Sequence, residues 1–131
     1  MTLVRSAVSD RPGEAELHIS PSTNTGSTGL SQSTRYRVPH EAVPVNTLKG
    51  VLDQHGIEKV DLMKMDIEGF EYEALTGAEK LLKTKRIRAL ALEMHPELMR
   101  ARGKEPERIE SVLTKYGYSK DSQAPTNLWA Q

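Results

Sequence analysis

The sequence predicts an α/β fold in which helices cover a parallel sheet. Two apolar stretches, residues 60–67 and 87–95, have the length and composition of buried strands. A further strand is predicted around residues 127–130. Stretches with apolar residues at helical spacing lie before, between and after these strands. Strands that alternate with helices in this way are typical of parallel sheets, whose faces the helices cover.

The N-terminal part of the chain has a different character. Residues 2–8 and 14–19 are short and partly alternating, and the turn sequence SDRPG separates them, so they predict two strands. Residues 20–34 are rich in Ser, Thr and Gly and offer almost nothing to bury. They therefore predict a long exposed loop.

The sequence between residue 36 and Gly56 predicts an extended segment followed by a helix. Residues 36–45 are apolar again, but Pro39 and Pro44 interrupt them, which predicts only edge or irregular extended structure. Thr47 is a suitable N-cap for a helix that ends before Gly56. The inward residues of this helix are Leu48, Val51 and Leu52.

Two more helical stretches follow. The first begins near Gly69 or Phe70, and Gly77 is a candidate break that divides it into two helices. Its apolar face consists of Phe70, Ala74, Leu75, Ala78, Leu81 and Leu82. The second covers residues 107–116, with Gly117 as its stop signal. Its apolar residues, at spacings of three and four, are Ile109, Val112, Leu113 and Tyr116.

Composition narrows the class of protein. A chain of 131 residues that is 37% hydrophobic is suited to one soluble globular domain, residues 1–131. The 18 basic residues balance 18 acidic ones, so neither nucleic acid nor a membrane is the predicted partner. The absence of cysteine excludes disulfides and thiolate metal sites and fits the cytoplasm. No apolar run approaches the roughly 20 residues of a membrane span, and the N-terminus lacks a signal-peptide pattern.

Charged residues interrupt the two predicted strands near their C-terminal ends. Lys64, Asp66 and Glu68 occupy alternate positions of the first strand, so they share one side. The opposite side carries Met63, Met65 and Ile67. Glu93 and His95 occupy one side of the second strand in the same way. Ligands of open parallel sheets bind at this end, so these residues predict a rim that can hold a divalent cation or position a base.

A structural role is the competing explanation for these residues. Asp66 or Glu68 can cap the following helix, a role worth about 0.5 to 2 kcal/mol without any catalysis. Lys64 can extend along the surface or form a salt bridge. His95 taken alone also fits an ordinary structural position.

Several motifs in register carry a resemblance to a known family. They are VDLMKMDIEGFEYEALTGAEKLL (60–82), IRALALEMHPEL (87–98) and VLTKYGY (112–118). Upstream, SAVSDRPGEAELHI (6–19), residues 24–30 and VPVNTLKGVL (43–52) are similar as well. Together these segments resemble the C-terminal half of the FkbM family of S-adenosylmethionine-dependent methyltransferases.

The resemblance implies a Rossmann-like methyltransferase fold, a three-layer sheet with helices on both faces. It also implies methyl transfer from S-adenosylmethionine, usually to a hydroxyl oxygen of a glycan, a polyketide or another secondary metabolite. Asp66 and Glu68 would lie at the tip of the fourth strand of that fold, beside the methyl group and the acceptor. The implied catalytic residues are Asp66, Glu68, Glu93 and His95, and the implied substrate-binding residues are Lys64 and Asn24. Which of the four takes the proton stays open.

The chain departs from the family pattern in its N-terminal part. These enzymes begin with a strand that leads into a Gly-rich turn and a strand that ends in an acidic residue for the ribose. Neither feature occurs here, and Gly26 and Gly29 lie in a polar loop without the strand-to-helix context. That loop is expected to cover the acceptor site or to be flexible, and the cofactor-binding residues are unknown.

This departure predicts a single partial FkbM-type domain that lacks the first two strands and is inactive alone. Its expected partners are a small-molecule or glycan acceptor and either a missing N-terminal half or a second copy, since exposed edges favour association. The alternative is a non-catalytic module that binds the acceptor or forms a dimer. A metal-dependent enzyme is a further variant, because hard ligands are available. The ligands would be Asp66, Glu68, Glu93 and His95.

Overall fold

The computed structural model describes residues 1–18, 40–124 and 127–131. These ranges form a mixed α/β structure with two sheets, so the α/β class is confirmed. The elements in chain order are β1 Ala7–Val8, β2 Gly13–His18, β3 His40–Asn46, α1 Leu48–Gln54, β4 Val60–Met65, α2 Glu71–Gly77, α3 Glu79–Lys83, β5 Ile87–Leu92, α4 Pro96–Ala101, α5 Glu107–Lys115, β6 Ser119–Lys120 and β7 Asn127–Ala130. The predicted loop at residues 20–34, with Asn24, lies outside the described residues.

The first sheet has three strands in the order β1-β3-β2. β3 is a regular strand between two others, parallel to β1 and antiparallel to β2, so the prediction of edge or irregular structure was wrong. The first predicted strand is shorter than expected, because only Ala7 and Val8 pair, opposite Val45 and Asn46. β1 therefore does not cover Pro44, whose missing N–H is not needed on that side.

The second sheet has four strands in the order β4-β5-β7-β6. Only β4 and β5 are parallel, whereas β7 runs antiparallel to both β5 and β6. The prediction of a parallel sheet was therefore wrong for its C-terminal half. β6 and β7 pair antiparallel, and the residues between them in the sequence are too few for the crossover that a parallel pair needs.

The helices supply most of the core, and their predicted apolar faces are confirmed except at Val51 and Phe70, which are only partly buried and lie outside the core. The fully buried residues on these faces are Ala74, Leu75, Ala78, Leu81, Leu82, Ile109 and Leu113. Thr47 caps α1 as predicted, since its Oγ1 accepts a hydrogen bond of 3.0 Å from Gly50 N. α5 ends before Gly117, whose φ of 78° suits a helix stop.

The predicted break at Gly77 is also confirmed, because α2 ends there and α3 begins at Glu79. A Cβ atom on Gly77 would lie 2.6 Å from Ser9 O and 2.8 Å from Asp10 Cα. Gly77 thus lets the turn between β1 and β2 pack closely against α2. This contact joins the first sheet to the helices that cover the second.

Two elements were not predicted, α4 and β6. α4 begins with Pro96, and proline at the first helical position is a recognised start signal. β6 consists of two exposed residues without a strand pattern, so nothing in its sequence indicated a strand. In the described parts of the chain, no helix has both the length and the apolar character needed to cross a membrane.

β1 and β4 each lie at an outer position of their sheet. Both contribute apolar side chains to one groove of about 510 Å³, which α1 also borders. The lining includes Val8, Leu48, Val51, Met63 and Met65, together with Asp66 at one end of β4. The groove thus connects two strands that are outermost among the described residues to the C-terminal end of β4.

Candidate functional site

The predicted rim forms where β4 and β5 end side by side. The two strands end at Met65 and Leu92, earlier than the predicted residues 67 and 95. Side chains alternate as predicted up to Asp66, since Lys64 is exposed and Met65 is buried. Beyond it the backbone turns, with a φ of 50° at Glu68 and 92° at Gly69. A left-handed turn, and not strand alternation, therefore positions Glu68.

Three of the predicted site residues come together at this rim. His95 Nε2 lies 3.8 Å from Asp66 Oδ1 and 3.8 Å from Glu68 Oε1. Their side chains are partly open to solvent, with exposed fractions of 36% for Asp66, 25% for Glu68 and 21% for His95. His95 directly precedes α4, so a strand end, a turn and a helix start all contribute to the same site.

A fourth residue, Glu71, completes what we call the carboxylate–histidine cluster: Asp66, Glu68, Glu71 and His95. Glu71 begins α2 and is fully buried. Its Oε1 lies 2.8 Å from His95 Nδ1 and accepts a hydrogen bond of 3.2 Å from Gly69 N. Its Oε2 is buried and has no hydrogen-bond partner among the described residues.

Glu71 was missed in the sequence, although one signal was available. It precedes Ala74, Leu75 and Ala78 by three, four and seven positions, so it falls on the apolar face of the helix. A carboxylate at such a position has to be buried with a partner. That partner, His95, is 24 residues away in the sequence.

The charge environment of His95 favours its protonated form. Burial by itself lowers the pKa of the imidazole. The hydrogen bond to Glu71 and the charges of Glu71, Glu68 and Asp66 act in the opposite direction and outweigh it, so the pKa of His95 is raised above its ordinary value. The three carboxylates thus favour a positive charge at His95 Nε2.

Lys64 and Glu93 lie beside the cluster and not within it. Lys64 Nζ lies 3.3 Å from Asp66 Oδ2 and 3.4 Å from Glu93 Oε2. These two hydrogen bonds raise the pKa of Lys64. Glu93 therefore reaches the cluster only through Lys64, and the salt-bridged alternative for Lys64 is confirmed.

Helix capping does not account for the acidic residues. The N-cap of α2 is Phe70, and no side chain makes a capping hydrogen bond there. Asp66 and Glu68 point instead toward His95, with the distances given above. The capping alternative was therefore wrong.

Arg102 holds the turn after β4 from the other side, a role that no sequence pattern indicated. Its guanidinium donates to Gly69 O at 2.5 Å and to Glu73 Oε1 at 2.5 Å. It also lies 3.4 Å from the centroid of the Phe70 ring, a cation–π distance. Glu73, like Glu71, is a buried acidic residue of α2.

Gly69 allows this turn to pack closely against α4. A Cβ atom at Gly69 would lie 2.7 Å from Leu98 Cβ. We expect Gly69→Ala to lower the free energy of unfolding by about 2 to 4 kcal/mol, because positive-φ strain and overpacking add. Urea unfolding followed by circular dichroism measures this.

Gly103→Ala is the matched control for that substitution. Gly103 has a φ of 70°, but a Cβ atom there meets nothing within 4 Å. It should show only the strain, about 1 kcal/mol. Equal losses for Gly69→Ala and Gly103→Ala would contradict close packing at Gly69.

The same close packing bears on cofactor binding. Gly69 is the glycine at the turn between β4 and α2, and Leu98 occupies the space beside its Cα atom. Gly26 and Gly29 lie outside the described residues. Among the described residues, then, the glycine turn between β4 and α2 packs against α4 and does not form an open cradle for S-adenosylmethionine.

Comparisons with known proteins gave one match. The family model described as methyltransferase FkbM domain matches residues 1–120. That range contains the whole carboxylate–histidine cluster and Arg102. A search of curated proteins and a search of solved structures each returned no match.

Proposed function

The chain belongs to the family of FkbM methyltransferase domains, and on that premise we propose that it forms the acceptor side of an S-adenosylmethionine-dependent O-methyltransferase. The proposed acceptor is a hydroxyl group of a glycan or secondary metabolite. The observation that carries the proposal is the gathering of Asp66, Glu68 and His95 within 4.8 Å of one another. They lie at the ends of two adjacent parallel strands, where open sheets bind ligands.

The chain's own residues act on the acceptor. S-adenosylmethionine, when bound, supplies the methyl group. The acceptor hydroxyl loses its proton as its oxygen is methylated, and a carboxylate or imidazole of the cluster takes that proton. Asp66 is the best placed of the candidates, because it belongs to the cluster and also lines the apolar groove. Glu68 and His95 orient the hydroxyl, and Lys64 and Glu93 border it.

The same proposal includes the arrangement of the complete sheet. A Rossmann-like, three-layer sheet forms when two further strands enter between β1 and β4. Two features support this: both strands are outermost in their sheets, and both line the groove of about 510 Å³. An added strand would pair with the outer edge of β4 and cover the half-buried Met63. The 131-residue chain is then a single partial domain that needs this segment for activity.

Calorimetric titration with S-adenosylhomocysteine tests the proposal. The purified chain, shown to be folded by circular dichroism, should give no saturable binding. The chain fused at its N-terminus to the Gly-rich segment of another FkbM domain should bind and should methylate a hydroxylated acceptor from a panel of glycans and metabolites.

Two results would contradict parts of this proposal. Methyl transfer by the unfused chain would contradict the need for a further segment. A fusion that binds S-adenosylhomocysteine and an acceptor but transfers no methyl group would contradict the enzymatic role. That second result would favour the non-catalytic acceptor-binding module.

A further inference from the structure

The carboxylate–histidine cluster has the ligand set of a metal site. Asp66, Glu68 and His95 each offer one ligand atom, and these atoms lie within 4.8 Å of one another. The separations from His95 Nε2 to one oxygen of Asp66 and one oxygen of Glu68 are both 3.8 Å. Metal bonds of about 2.0 to 2.2 Å separate two ligand atoms by roughly 3 to 4.3 Å, so both distances from His95 Nε2 fit a shared cation, and a small movement of the two partly exposed carboxylates would let one cation contact all three residues.

The tautomer of His95 is set for binding at Nε2. Nδ1 lies 2.8 Å from Glu71 Oε1, a carboxylate oxygen that can only accept a hydrogen from it when ionised. Nε2 therefore presents either a lone pair or a second proton to Asp66 and Glu68. Metal-binding histidines commonly donate their other ring N–H to a carboxylate, which fixes the ring and makes it a better ligand.

Glu71 provides a second, independent observation. Its side chain is fully buried, and its Oε2 has no partner among the described residues. Three carboxylates thus surround one imidazole, whereas the one lysine in contact with them, Lys64, is largely exposed and reaches only Asp66 Oδ2. One fully buried carboxylate beside two partly exposed ones favours further positive charge at this site.

From this geometry we propose that Asp66, Glu68 and His95 bind a divalent first-row transition metal ion, with Glu71 as the positioning residue of His95. Mixed oxygen and imidazole ligands suit Mn²⁺, Co²⁺ and Zn²⁺ better than Ca²⁺. All three ligands are partly exposed, so coordination positions stay open for water or for an oxygen of a ligand. Glu93 is not a ligand, since Lys64 separates it from the cluster.

Co²⁺ titration of the unfused chain tests the site, after chelation and dialysis and without a histidine tag. The visible absorbance of Co²⁺ reports coordination, and calorimetry reports stoichiometry. We expect one saturable site per chain, with affinity at least about tenfold lower in Glu68→Gln and His95→Gln. Glu71→Gln should lower affinity by about 10- to 100-fold, the usual effect of losing such an outer partner.

Two controls make the result decisive. Glu93→Gln removes a carboxylate of the same rim that is not a proposed ligand, so it should lower the affinity far less than Glu68→Gln does. Lys64→Gln removes a neighbouring positive charge and should strengthen binding. Circular dichroism checks folding, and Glu68→Gln keeps the test valid if the buried Glu71 variant unfolds.

Three outcomes would overturn the proposal. They are the absence of saturable Co²⁺ binding, binding that Glu68→Gln and His95→Gln leave unchanged, and an equal loss in Glu93→Gln. The absence of Co²⁺ binding would mean that protonated His95 alone balances the charge of the carboxylates. Either of the other two outcomes would mean that Co²⁺ binds adventitiously elsewhere on the chain. No cofactor or acceptor is used, so the result is independent of the proposed methyl transfer.

Discussion

Asp66→Asn should lower methyl transfer by about 10²- to 10⁴-fold in the chain fused to a Gly-rich FkbM segment, the range for loss of a general base. Asparagine keeps the shape of the side chain but cannot take a proton at neutral pH. Asp66 is singled out because it lies in the cluster and in the groove where the added strands are proposed to enter. The rate of methyl transfer at saturating S-adenosylmethionine measures the effect, and a chelator is present so that the loss of Asp66 as a metal ligand does not contribute.

Asp61→Asn is the matched control for Asp66→Asn. Asp61 belongs to the same strand, but it lies near its N-terminal end, is exposed and pairs with Arg88. This control should keep the full rate, and both variants should bind S-adenosylhomocysteine as tightly as the parent fusion. An unchanged rate in Asp66→Asn would rule out Asp66 as the base and leave Glu68 and His95 as the candidate bases.

Arg102→Ala should lower the free energy of unfolding by about 2 to 4 kcal/mol, near the range for breaking a buried ion pair. Arg102 and Glu73 have exposed fractions of 21% and 10%. Removal of the guanidinium leaves Glu73 with Lys104 at 3.7 Å as its remaining cation. It also removes the hydrogen bond to Gly69 O and the contact with the Phe70 ring.

Arg108→Ala is the matched control for Arg102→Ala, because it removes an arginine whose ion pair is exposed. Arg108 pairs with Glu105 at 2.6 Å, but both side chains are exposed. Such surface pairs contribute about 0 to 1 kcal/mol. Urea unfolding of the two variants measures the difference, and a loss in Arg102→Ala no larger than in Arg108→Ala would contradict the role given to Arg102.

Local signals in the sequence predicted much of the fold. The Thr47 cap, the break at Gly77 and the stop at Gly117 are each set by residues within one helical turn. The buried helix faces follow from the 3.6-residue period in the same way. The mixed class and the methyltransferase FkbM family were also predicted, the family from motifs in register.

The candidate site was predicted in part. The rim residues Asp66, Glu68 and His95 were named because parallel strands end at one edge of a sheet, and the pair of β4 and β5 is parallel. Glu93 was grouped with them by the same rule, but Lys64 lies between it and the cluster. The rule gives the edge on which side chains lie and not the contacts that they make.

The sequence by itself thus determined the class, the family and the local start and stop of most helices. Only the tertiary structure decided that β7 runs antiparallel to β5, that Glu71 is buried against His95, and that Arg102 holds the Gly69 turn. The physical reason is the distance along the sequence over which each kind of interaction acts. Helix periods and caps act over three or four residues, whereas the contacts of Glu71 and Arg102 join residues 24 and 33 positions apart and depend on how the whole chain packs.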